Sequence, residues 1–198
     1  MKGTTDSESI IHIKNYNYLK EIIELHKNEF SNVLSGQIGI LFLKYYYKKI
    51  IKIGVIYGHF KNNELTGFIS GVINEKKIYS LNYYLYAITG IILHFFEKKF
   101  ILSLKRHLKR IRLFSDVEID AELLSIIVKN KFRGQGIGKE LIFTLDDYFK
   151  QYKVGKYKVY TDMNYSTGYK LYDKLNFELF KEENLFGLKL RMYVKNIS

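Results

Sequence analysis

The 198-residue chain contains no cysteine, no proline and no tryptophan. Without cysteine there is no disulfide framework, no thiol nucleophile and no zinc site built on thiolates. The stretch Met1 to Ser9 is polar and acidic-leaning, with no apolar core behind it, so no secretory signal is expected and a cytoplasmic address follows. The missing proline and tryptophan accompany an abundance of Ile, Asn, Tyr and Lys, the usage that a genome poor in G and C writes whatever the function. That bears on the charge. Lys and Arg number 32 against 20 Asp and Glu, a formal charge of +12, which would ordinarily point to nucleic acid or anionic lipid. All but five of those cations are lysine, so base composition accounts for much of the excess. With no zinc finger, RNP aromatic motif or helix-turn-helix signature, nucleic acid is not the expected partner. A chain of this length that is 47% hydrophobic suffices for one α/β domain with its own core and is short for two.

The most informative stretch runs from Ala121 to Tyr148. Leu123 to Val128 is a short apolar run of the kind found in a strand buried on both faces. After the polar exit Lys129 to Arg133, glycines at 134, 136 and 138 alternate with Gln135 and Ile137, so the backbone can turn tightly and present several N–H groups. From Gly138 onward Leu141, Ile142, Leu145 and Phe149 recur at helical spacing. The positive end of that helix faces the loop, which makes an anion cradle. A Walker loop needs a glycine, four residues and then Gly-Lys-Ser/Thr, and no Ser or Thr follows Lys139; a dinucleotide fingerprint needs Gly-x-Gly-x-x-Gly on the first strand of its unit. Neither fits. The alternative without a ligand is a strand-loop-helix connection whose glycines only turn the chain.

Arg133, Gly136 and Gly138 satisfy the pattern Arg-x-x-Gly-x-Gly, which resembles the pyrophosphate-binding loop of the GNAT superfamily of acetyl-CoA-dependent N-acetyltransferases. The likeness extends over roughly Ala121 to Phe177. Glu122 to Val128 resembles the family's fourth strand, which splays from its neighbour and lends backbone groups to the pantetheine arm. Lys158 to Asp162 reads as a further strand and Tyr165 to Leu175 as a short helix. Tyr172 to Phe177 is similar to the family's Tyr-x-Lys-x-Gly-Phe, with Asn176 in place of the glycine; Asn is the next-best residue in the left-handed conformation that ends a helix. The family's helix-opening Asn has Tyr165 at its place, with Asn164 one residue earlier. The resemblance implies one α/β domain over residues 1–198, with a mixed sheet of about six to seven strands flanked by helices. It implies acetyl-CoA as co-substrate, held by Ile126, Ile127, Val128, Arg133, Gly134, Gln135, Gly136, Ile137, Gly138, Lys139 and Asn164.

Towards the amino terminus, Ile10 to Ile13 alternates like a strand, and Tyr18 to Phe30 and Ile38 to Ile50 read as helices. Val55 to Phe60 and Thr66 to Val72 form a hairpin around Lys61-Asn-Asn-Glu64. Between the hairpin and the central strand, about residues 78–114, lies an insertion. Ile78 to Phe96 is 19 residues without a formal charge, close to the ~20 that span a bilayer, but Ser80, Asn82, Thr89, Gly90, His94 and four tyrosines argue against a span. Beyond it, Ile101, Leu104, Leu108 and Ile111 form an apolar stripe among seven Lys and Arg residues between Lys98 and Arg112. This is either a helix packed on the core or one that meets a partner or an anionic membrane.

Acetyl transfer to an amine requires a base for the ammonium proton, a donor that polarises the thioester carbonyl and an acid for the departing thiolate. Glu122, on the same strand face as Leu124 and Ile126 by the period of two, resembles the family's general base; the plain alternative is a strand-end carboxylate, and Glu118, Asp120 and His94 are rivals. Tyr172 is the candidate acid, and a backbone N–H near Ile126 to Val128 would meet the carbonyl. The expected acceptor is a small primary amine, either phosphorylated or a nucleotide-linked amino sugar, with a protein amine second. A rival from another class is an idle module of this fold that docks on an anionic membrane or partner.

Overall fold

The computed structural model describes residues 7–30, 39–94, 101–102, 105, 117–162, 168–185 and 187–198. Along the chain come β1 (Glu8–His12), α1 (Leu19–Glu29), α2 (Ile40–Ile53), β2 (Val55–Lys61), β3 (Glu64–Val72), α3 (Leu81–His94), β4 (Glu122–Val128), α4 (Ile137–Gln151), β5 (Lys156–Asp162), α5 (Gly168–Lys174), β6 (Glu178–Leu185) and β7 (Leu188–Asn196). The strands form one seven-stranded sheet in the order β1-β2-β3-β4-β5-β7-β6. Every neighbouring pair is antiparallel except β4 and β5. The α/β class, the mixed sheet and its strand number match the expectation. The basic stretch Lys98 to Arg112 lies outside the described residues, apart from positions 101, 102 and 105.

Local sequence explains most of these elements. Helix α1 buries Leu19, Ile22, Ile23, Leu25 and His26, and α4 buries Leu141, Ile142, Leu145 and Phe149, each an apolar stripe at helical spacing. The β2–β3 hairpin closes on Asn62 and Asn63, with φ of 50° and 65°. A two-residue primed turn needs positive φ at both positions, and Asn is one of the few side chains that tolerates it. Asn176 likewise takes φ 59° just beyond α5, where Phe177 N–H donates to Tyr172 O at 3.2 Å. Here the substitution for the family's glycine keeps the left-handed cap.

The sheet carries a core on each face. On one, α1 and α2 bring Ile22, Leu43, Tyr47 and Ile50 against Ile56, Phe68 and Ile127. On the other, α4 brings Leu141, Leu145 and Phe149 against Ile69, Tyr157 and Tyr193. Two charged clamps sit at the margins of the second half of the sheet. Asp146 of α4 accepts from Lys195 Nζ at 2.5 Å and from the Tyr157 hydroxyl at 2.8 Å, with all three side chains buried. Lys158 Nζ of β5, also buried, donates to Glu75 Oε1 at 2.6 Å, just after β3.

Deleting one member of a buried ion pair strands the other charge. Asp146→Ala should therefore lower unfolding stability by roughly 3–5 kcal/mol in urea titrations. The double change Asp146→Leu with Lys195→Met should recover a substantial part of that loss. A loss of Asp146→Ala within the scatter of surface substitutions would contradict the clamp.

Candidate functional site

Strands β4 and β5 pair only at Glu122 with Lys158 and Leu123 with Val159, reinforced by Lys158 N–H to Ala121 O at 3.0 Å. Beyond Leu123 they separate, while β4 stays paired to β3 as far as Val128. One edge of Leu124 to Val128 is thus left without a strand. A cleft of about 760 Å³ opens there, walled by β4, by Val159 to Thr161 of β5, by Tyr169 and Tyr172 of α5 and by the loop from Arg133 to Lys139.

The loop is held from both sides. Arg133 Nε donates to Val128 O at 3.0 Å, and its terminal nitrogen pairs with the Glu29 carboxylate at the end of α1. Gly134 and Gly136 take φ of 78° and 89°, a region that side chains resist. The N–H groups of Gly134, Gln135, Gly136, Ile137 and Gly138 donate to no acceptor among the described residues, whereas those of Lys139 and Glu140 both turn to Gly136 O, at 2.8 and 3.2 Å. Four of these five residues, Gly134, Gly136, Ile137 and Gly138, line the cleft, at the start of a 15-residue helix whose positive pole lies behind them. A Cβ on Gly138 would come within 3.0 Å of the Leu171 side chain on α5, so glycine there lets the two walls approach without displacing that leucine. Ile126, Ile127, Val128, Ile137 and Lys139 all line the same cleft. Asn164 lies outside the described residues.

The expected face of Glu122 needs correction. The β3–β4 register shifts between Ser70 and Gly71, which pair with Ser125 and Leu123, so Leu124 is an extra residue on β4. A bulge of this kind breaks the alternation of two. Leu124 and Ile127 consequently pack on the α1–α2 side, and Ile126 and Val128 on the α4 side. Glu122, buried at 8% exposure, shares the face of Leu124 and not that of Ile126. Its carboxylate acts on Tyr46 of α2, whose phenol pKa is raised first by burial, then by Tyr47 and Tyr83, and then by Glu122. Of its rivals, Asp120 is tied to Lys76 Nζ at 3.0 Å; none of Glu118, Asp120 and Glu122 itself is among the residues that line the cleft. The side chain of His94 is outside the described residues.

Tyr172 is buried on α5 against Phe177 and Tyr193, with ring centroids at 4.9 and 5.6 Å, and lines the cleft. Its hydroxyl has no hydrogen-bond partner among the described residues. Burial, and then Tyr193, raise its pKa well above the ordinary tyrosine value, so it carries its proton at neutral pH.

Sequence reasoning did not find the polar chain beneath the bulge. His26 Nδ1 lies 2.6 Å from the Tyr47 hydroxyl, which in turn bonds Ser125 of β4. Across the ladder from Ser125, the buried Ser70 Oγ has no hydrogen-bond partner among the described residues. Burial lowers the His26 pKa to about 3 and raises that of Tyr47, so the chain is neutral. The only sequence signal was a serine interrupting the apolar run of β4.

A sequence profile described as the Acetyltransferase (GNAT) family matches residues 19–177. The chain belongs to this family; it is an acyltransferase that takes acetyl-CoA as co-substrate. No curated protein matches it in sequence. Solved structures do resemble it. Arylalkylamine N-acetyltransferase 2 from Aedes aegypti superposes with a TM-score of 0.68 at 18% identity, over 97% of this chain and 100% of that one. The ribosomal-protein-S18-alanine N-acetyltransferase of Escherichia coli gives 0.62 at 12% identity, over 97% and 95%. The PaiA N-acetyltransferase of Thermoplasma acidophilum, solved with coenzyme A, gives 0.53 at 16% identity, over 95% and 99%. At such identities the likeness carries the fold.

Gly136→Asp would place a strained side chain and a negative charge at the free amides. Calorimetry should show acetyl-CoA affinity falling by about 100-fold or more, with Gly136→Ala, which adds strain alone, falling less. Wild-type affinity in a folded Gly136→Asp protein would contradict the cradle.

Proposed function

We propose that the chain acetylates the primary amine of a small anionic acceptor by direct transfer, with Glu122 as base and Tyr172 as acid. The observation that carries this reading is the row of unpaired amides from Gly134 to Gly138 beside the gap between β4 and β5. The diphosphate of acetyl-CoA would sit on those amides, with Arg133, Gln135 and Lys139 around them, and the pantetheine arm would complete the open edge of Ile126 to Val128. A free N–H of that edge would polarise the thioester carbonyl.

The amine attacks the carbonyl carbon, the C–S bond breaks and the thiolate leaves. Glu122 takes the proton that the ammonium must shed, directly or through a water. Tyr172, protonated, lining the cleft and with no hydroxyl partner among the described residues, donates to the sulfur. No covalent enzyme intermediate is needed. The acceptor preference rests on charge: the seven Lys and Arg residues between Lys98 and Arg112 favour a phosphorylated amine or a nucleotide-linked amino sugar over a neutral one. The neighbouring structures named above differ in acceptor and do not narrow the choice.

The two roles separate in pH profiles. Glu122→Gln should lower kcat by about 10²–10⁴, with partial recovery at high pH, where the amine loses its proton unaided. Tyr172→Phe should cost less, because a thiol of pKa near ~8.5 can leave as thiolate, and its loss should not recover with pH. Full kcat and an unshifted profile in Glu122→Gln would make Glu122 a structural carboxylate.

A further inference from the structure

Helix α3 packs on α2 through aromatic contacts, Phe42 with Tyr83 at 5.3 Å and Tyr45 with Tyr86 at 4.8 Å. It turns Tyr83 and Ala87 towards the core. That orientation puts Leu81, Tyr84, Leu85 and Ile88, at i, i+3, i+4 and i+7, on the opposite side, exposed by 75, 54, 51 and 48%. Four consecutive stripe positions of a helix are thus apolar and in solvent, where a surface helix ordinarily presents charge. On α2 the outward stripe is Leu41, Lys44, Lys48 and Lys52, with Leu41 exposed by 65% and Lys44 and Lys52 exposed. Neither helix contains a carboxylate: α2 has four lysines and α3 has no charged residue at all.

We propose that the outer side of the α2–α3 layer docks on an anionic phospholipid surface. The apolar stripe would enter the acyl boundary and the lysine row would meet the headgroups. The exposed Tyr79, Tyr84 and Tyr86 suit the interface, where an apolar ring and a polar hydroxyl are both accommodated. The helix lies on the bilayer and does not cross it. Its 14 residues rise about 21 Å, short of a hydrocarbon core of about 30 Å, and among the described residues no helix is long and apolar enough to span. A second copy of the chain is the less fitting occupant, because a two-fold contact through this layer would set lysine row against lysine row with no carboxylate on either helix to answer it.

Flotation of the full chain with vesicles tests the proposal. The protein should float with phosphatidylcholine–phosphatidylserine vesicles and, to an extent about tenfold lower, with phosphatidylcholine alone. The triple change Leu81→Ser, Leu85→Ser and Ile88→Ser should reduce binding to the anionic vesicles by about tenfold or more, with thermal midpoint and acetyl-CoA affinity unchanged. Lys44→Gln with Lys52→Gln should weaken binding and flatten its salt dependence. Flotation of the triple variant equal to wild type would overturn the proposal, placing the contact elsewhere. Failure of the wild type to float would overturn it as well; light scattering would then show whether the face joins two copies, as a dimer that the triple variant dissolves.

Discussion

The constraint on which this structure depends is the parting of β4 from β5 after two residue pairs. A strand in the middle of a sheet must satisfy backbone donors and acceptors on both edges, since buried ones left open are costly. Here β3 serves one edge of β4 throughout, and β5 serves the other only at Glu122 and Leu123. Charged side chains anchor β5 near the end where it still pairs. Lys158, next to the last pairing, is drawn to Glu75, while Asp146 ties α4 to β5 and β7 through Tyr157 and Lys195. The open edge is left for a ligand that can supply peptide-like groups, and the pantetheine arm of acetyl-CoA has two amides.

The bulge at Leu124 gives this strand its second role. By inserting one residue, it sends Glu122 and Ser125 to the α1–α2 face and keeps Ile126 and Val128 against α4. The proposed base thus lies by Tyr46, on the face opposite α4. The neutral chain His26–Tyr47–Ser125 ends at the residue that follows the bulge. Burial holds His26 near a pKa of about 3, so it brings no charge under the strand at any ordinary pH.

Much of this was legible in the residues because the informative features are local. Three alternating glycines after an apolar run, with a helical stripe behind them, define the cradle without reference to the rest of the chain. The Asn62–Asn63 turn and the Asn176 cap follow from one residue's tolerance of positive φ. What could not be read was long-range. Periodicity assumes unbroken pairing, so it placed Glu122 with Ile126; only the partner strand reveals the bulge. The Asp146–Lys195 and Glu75–Lys158 pairs join positions 49 and 83 residues apart. The uncharged run from Ile78 was not expected to span a membrane, but its packing could not be read from composition. Ile78, Tyr83, Tyr86 and Ala87 are buried or packed, the last three against α2 and its core, while Leu81, Tyr84, Leu85 and Ile88 remain exposed.

The central claim is that the amides of Gly134 to Gly138 receive the diphosphate of acetyl-CoA. An amide-resolved NMR titration of the ¹⁵N-labelled protein with coenzyme A tests it most directly. The account predicts that these five N–H resonances move downfield together and saturate with one dissociation constant, and that those of Ile126 to Val128 follow with the same constant. Saturable binding that leaves the five loop amides unmoved while others shift would contradict it.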